Sequence, residues 1–86
     1  MDNNEIDCKI AESLGITNYT GDRISWTQDP VYAWGLMINK RVGLKPAKDG
    51  KWLAFSNRGV WSHVDEDPCR AIAIVYLKEF ANGGEL

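Results

Sequence analysis

The stretch that decides the fold runs Gly43-Leu44-Lys45-Pro46-Ala47-Lys48-Asp49-Gly50-Lys51-Trp52-Leu53-Ala54-Phe55-Ser56-Asn57-Arg58-Gly59-Val60-Trp61-Ser62-His63-Val64. Two turn signals divide it into extended pieces, Leu44 to Ala47, Lys51 to Ser56 and Val60 to Val64, the pattern of a three-stranded antiparallel meander. Asp49-Gly50 is the pair preferred in a two-residue primed turn, which sets Leu44 opposite Phe55. Pro46 has no N–H to give to a ladder, so the first strand is expected at a sheet edge. Ser56-Asn57-Arg58-Gly59 fits a type I turn with Gly59 as a left-handed bulge residue, because Arg58 is poorly suited to positive φ. These turns predict Leu53, Phe55, Trp61 and His63 on one face, and Trp52, Ala54, Val60 and Val64 on the other. Neither face is polar, so helices or a partner chain are expected on both.

On either side of the meander the period is helical. Ile6, Ile10, Ala11 and Leu14 fall on one face of a helix predicted from Asn4 to Leu14, with Glu5 and Asp7 in its first turn and Gly15 stopping it. A turn-rich segment follows, with Arg23 to Thr27 as a short strand. Asp29-Pro30 supplies an N-cap and a first-turn proline for a second helix to about Arg41, whose face is expected to be Val31, Trp34, Ile38 and Val42. Gly35 inside that helix points to close approach by a neighbouring element. Asp67-Pro68 repeats the same start signal, and the run to Phe80 is apolar around most of its circumference, as a central buried helix is. The expected fold class is therefore α+β: a three-stranded antiparallel meander covered by about three helices in the order α-α-β-β-β-α, a helix–sheet–helix sandwich. One domain over 1–86 is expected, with 1–3 and 82–86 as flexible ends.

Composition narrows the function classes. The chain has 86 residues, 44% hydrophobic and 26% charged, with a net charge of -2, which describes one small globular domain. Its acidic, polar start does not read as a secretory signal, and no apolar run approaches the roughly 20 residues that span a bilayer. The expected setting is a reducing cytoplasm, with Cys8 and Cys69 as buried thiols. Two cysteines and a single histidine cannot close a zinc site of the usual ligands. No cofactor or metal is expected.

Three stretches together resemble small phage and prophage proteins known as the phage ABA-sandwich domain. They are Ile10-Ala11-Glu12-Ser13-Leu14-Gly15, Trp26-Thr27-Gln28-Asp29-Pro30 through Ala33-Trp34, and Pro68 through the alanine-rich run ending at Leu77. The likeness covers most of the chain and rests on helix caps and core residues. It implies an α/β sandwich encoded by a phage or prophage, and it brings no catalytic residues.

Two places carry chemistry worth weighing. His63 with Asp65, Glu66 and Asp67 is where an imidazole meets carboxylates, at a strand end feeding a helix. A hydrolase centred there lacks a second histidine, a placed nucleophile or a phosphate loop. The simpler account makes Asp67 a helix cap, Asp65 and Glu66 partners of its positive end, and His63 a solvent-edge strand residue. Charge gives the second place. Residues 40 to 58 hold six basic side chains against Asp49, a net +5 between flanks of -4 and -3. Lys45, Lys48, Lys51, Trp52, Arg58 and Trp61 are the candidate binding residues of this region, the cations to steer phosphates and Trp52 to stack a base. The alternative is a solvated edge guarded by lysines.

The sequence reading is a non-enzymatic accessory protein that binds a macromolecular partner, a host or defence component, with self-pairing into a homodimer as a further option. A second reading is a small-ligand sponge for a phosphorylated nucleotide, which requires the lysines, Arg58 and Trp52 to converge on a pocket. Duplex nucleic acid would call for more positive charge.

Overall fold

The computed structural model describes residues 2–20 and 24–81. Helix α1 spans Asn3–Ser13, α2 Pro30–Lys40 and α3 Pro68–Tyr76, and strands β1 Gly43–Pro46, β2 Trp52–Phe55 and β3 Ser62–Asp65 form one antiparallel sheet in the order β1-β2-β3. The α+β class and the order α-α-β-β-β-α are as the sequence indicates. Asp2, Asp29 and Asp67 cap the three helices, accepting from Glu5, Val31 and Cys69 N–H respectively. Asp2 and Asn3 are thus drawn into α1, while Met1 and 82–86 lie outside the described residues. Ile24 and Ser25 are irregular and residues 26–28 form a turn, in place of the expected strand, whose Arg23 end is likewise outside the described residues.

Helix α3 is buried at Cys69 and from Ala71 through Tyr76, and touches all three strands. Helices α1 and α2 pack on α3 and its continuation, a π-helical turn over Leu77–Ala81. The sandwich thus has its layers in the order sheet, α3, then the other two helices. An apolar helix between two layers has no polar face to lose, which is why its sequence lacks one.

Both hairpin turns have the expected conformation, yet each holds one residue more than expected. Asp49 (φ 59°, ψ 35°) and Gly50 (φ 74°) make the primed turn, closed by Lys51 N–H to the Lys48 carbonyl at 3.2 Å. The Ala47 N–H then donates to Lys51 O at 2.8 Å, so Ala47 and Lys48 together oppose Lys51 as a bulge. Leu44 consequently pairs with Ala54, and Phe55 with Gly43. In the second turn Gly59 is left-handed (φ 72°) and donates to Ser56 O, but Val60 joins the loop and Ser56 pairs with Trp61. The Ser56 hydroxyl accepts the Trp61 N–H at 3.1 Å, which ties off this longer loop. His63 therefore pairs with Ala54, and Val64 with Leu53.

A one-residue slip exchanges faces. Leu44, Trp52, Ala54, Trp61 and His63 share the face toward α3, while Leu53, Phe55 and Val64 share the other, correcting the expected division. Trp52 and Trp61 are on the same face, and Trp61 packs against the core. Helix α2 is also turned from its expected orientation: Ala33 and Leu36 enter the core with Val42, and Val31, Trp34 and Ile38 point outward.

Loop 24–28 is fastened to α1 by a buried carboxylate. Asp7 accepts four hydrogen bonds, from Trp26 N–H and Thr27 N–H at 3.0 Å each, from the Thr27 hydroxyl at 3.0 Å and from the Ser25 hydroxyl at 2.7 Å. This anchors Trp26 in the core, with the rings of Tyr19 and Tyr32 beside it.

Candidate interaction surface

The lysine-rich region does not close into one pocket. Lys48 and Lys51 are exposed at the β1–β2 turn, and Arg58 is exposed in the β2–β3 loop. Those turns stand at opposite ends of β2, about 13 Å apart for four residues. Trp52 lies at the Lys51 end and Trp61 at the Arg58 end, both toward α3. Lys45 projects from the opposite face, its ammonium 5.8 Å from the centre of the Phe55 ring. The structure thus brings together Lys48, Lys51 and Trp52 at one end of the sheet, and separates them from Lys45, Arg58 and Trp61. A depression of about 330 Å³ beside Lys51 is lined also by Val64, Asp65 and Glu66. Its mixed charge gives an anionic phosphate no unopposed attraction.

What Lys45 does join is the sheet face turned away from α3. There Phe55 lies over Gly43, so closely that a Cβ on Gly43 would stand 2.2 Å from the ring carbons. Leu53 is half-buried beside it, and Val64, directly opposite Leu53, is 48% exposed. The result is an apolar platform of Leu53, Phe55 and Val64 with a cation at its margin and the lysines of the first turn at its end. Sequence reasoning missed this grouping because it depends on both one-residue shifts.

His63 and the acidic run form a network around the start of α3. His63 Nε2 lies 3.3 Å from Asp65 Oδ2, and Arg70 Nε is 3.6 Å from the same oxygen. Asp65 Oδ1 accepts the Asp67 N–H, and Asp67 Oδ1 in turn caps α3 at Cys69 N–H (2.8 Å) and Arg70 N–H (3.4 Å). Each oxygen of Asp65 and the capping oxygen of Asp67 are thereby engaged in holding a strand end to a helix start. Burial, then Asp67 and Asp29, push the Cys69 thiol above its ordinary pKa, the reverse of what a thiolate nucleophile needs. Cys8 is exposed rather than buried, and both cysteines are free thiols. Among the described residues no three His, Cys, Asp or Glu side chains are grouped to hold a metal ion, and no helix is long and apolar enough to cross a membrane.

Compared with known protein families, curated proteins and solved structures, the chain matches none.

Proposed function

We propose that the chain is a non-enzymatic phage or prophage accessory protein that binds a protein partner in the bacterial cytoplasm through the open face of its sheet. The observation that carries this reading is the platform of Leu53, Phe55 and Val64, which α3 leaves uncovered, with Lys45 beside it. A contiguous apolar surface bordered by charge is the form a protein interface takes, with an aromatic anchor at its centre. The lysines at Lys45, Lys48 and Lys51 favour a partner whose rim is acidic, and they would quicken its encounter more than they tighten the final complex. The resemblance to phage sandwich proteins supports the setting.

The reading is tested by immobilising the wild-type chain and a Phe55→Ser, Val64→Ser double variant and passing bacterial lysate over each. A protein retained by the wild type and lost by the variant, with its retention weakened by salt, is the expected result. Retention of nothing, or equal retention by both chains, would overturn the reading. Circular dichroism verifies that the variant keeps its fold.

A further inference from the structure

The sheet has two edges, and they are blunted in different ways. Ser56 N–H donates to the Trp61 carbonyl at 2.8 Å, which fixes the phase of the β2–β3 ladder. Ala54 with His63 and Trp52 with Asp65 are then the hydrogen-bonded pairs, and Ser62 and Val64 turn their N–H and C=O groups off the sheet. The same alternation turns Leu44 and Pro46 outward on β1, where the Ala47 N–H is spent on the Lys51 carbonyl. Pro46 has no N–H, so the outer side of β1 is a poor template for another strand. Strand β3 contains neither a proline nor a bulge. Its outer side carries instead a cation from elsewhere in the chain: Lys78, in the π-helical turn after α3, donates through Nζ to the Ser62 carbonyl at 3.1 Å.

We infer that Lys78 guards the β3 edge and keeps it from pairing with the β3 of a second copy of the chain. An identical strand is self-complementary here. About a two-fold axis at His63, Ser62 of each copy would exchange hydrogen bonds with Val64 of the other. Half of those bonds end on a Ser62 carbonyl, the acceptor that Lys78 occupies. Pairing would also carry both ammonium groups onto one short ladder and out of water, which is costly for unpaired charge. No side chain of the strand supplies this protection, since Ser62 and Val64 stand exposed on the open face and His63 and Asp65 turn toward α3. The guard acts on the backbone of the edge, whereas the binding face proposed above is made of side chains, so either reading can fail without the other.

Sedimentation equilibrium of the full chain, from about 5 to 500 µM, compares the wild type with Lys78→Met, which keeps a stem of similar length without the donor or the charge. Lys78→Met is expected to associate at least about tenfold more tightly than the wild type, rising from the 9.7 kDa monomer mass toward twice that value, with far-UV circular dichroism unchanged. Lys78→Arg should behave like the wild type, because a guanidinium still donates and still carries charge. Val64→Pro in the Lys78→Met background removes an outward N–H and should return the profile to that of the wild type. Amide hydrogen exchange locates the contact: in Lys78→Met the Ser62 and Val64 amides should become protected as protein concentration rises. Equal association of the wild type and Lys78→Met, association of Lys78→Arg as strong as that of Lys78→Met, association that survives Val64→Pro, or association without protection of those two amides would each overturn the inference.

Discussion

Asp7 shows how much one side chain can hold in a domain of this size. Its two carboxylate oxygens collect two backbone N–H groups and two hydroxyls from Ser25, Trp26 and Thr27. Removing it leaves buried donors without an acceptor, which costs more than the bonds themselves contribute. Asp7→Ala is expected to lower stability by about 2–4 kcal/mol in urea denaturation, with quenching of Trp26 fluorescence changed in the folded baseline. A loss below about 0.5 kcal/mol would mean that the loop is held otherwise. Nothing local in the sequence announces this role: in α1 Asp7 is indistinguishable from a first-turn acid, because its partners arrive from about 20 positions along the chain. Asp29 and Asp67 were legible as caps for the opposite reason, their carboxylates serving N–H groups two or three residues away.

The two cysteines separate by burial. Cys8 is exposed and Cys69 is buried behind Asp67. A thiol reagent at neutral pH should label one site per chain rapidly, at Cys8, and the second only as the fold opens, which mass spectrometry resolves; simultaneous labelling would contradict the packing of α3. The raised Cys69 pKa also has a sign for stability. The folded state holds the thiol proton more tightly, so its contribution is complete below the unfolded thiol value, about 8.5, and is lost as pH climbs beyond it. The Cys69→Ala variant should show a shallower alkaline decline in melting temperature than the wild type.

At the scale of elements, what the sequence specified were turn conformations, and what it left open was their length. Positive φ at Asp49, Gly50 and Gly59 follows from residue type. Whether Ala47 bulges, or Val60 joins a loop, is settled by the core: only the observed register turns Leu44 and Trp61 toward α3 and lets Ala54 take a fully buried site beneath it. Gly43 is the consequence on the open side, since the same register lays Phe55 across it. Gly43→Ala should destabilise by about 1–3 kcal/mol as the ring is forced to another rotamer, and Phe55→Leu should remove most of that penalty in a double-mutant cycle. Additive effects would place Phe55 elsewhere. The orientation of α2 was undetermined for a related reason: it is apolar on two sides, and the side with the small Ala33 is the one that lies close to α3. Because a Cβ at Gly35 would meet nothing within 4 Å, Gly35→Ala should raise the melting temperature at low protein concentration, by the equivalent of about 0.5–1 kcal/mol. A decrease there would imply a neighbour inside the chain.

At the scale of the molecule, three helices and a short sheet leave more apolar surface than one chain covers. Helix α3 covers one sheet face, and α1 and α2 spend their inner sides on α3. Among the described residues, the apolar side chains left outside include Val64, beside the half-buried Leu53 and Phe55, and the stripe of Val31, Trp34 and Ile38. The sequence disclosed the surplus, as a sheet apolar on both faces and four tryptophans, without saying which residues would be left outside. Its cationic centre was equally visible, but the fold distributes those charges to both ends and both faces of the sheet, which turns them from a candidate pocket into a border around the platform.

The account rests on that platform as a protein-binding face, and the most direct measurement is the lysate capture with three chains side by side: wild type, Phe55→Ser with Val64→Ser, and Ile38→Asp. The account predicts a protein retained by the wild type and by Ile38→Asp and released by the sheet-face double variant. Retention that survives the double variant, or that fails only with Ile38→Asp, would contradict it.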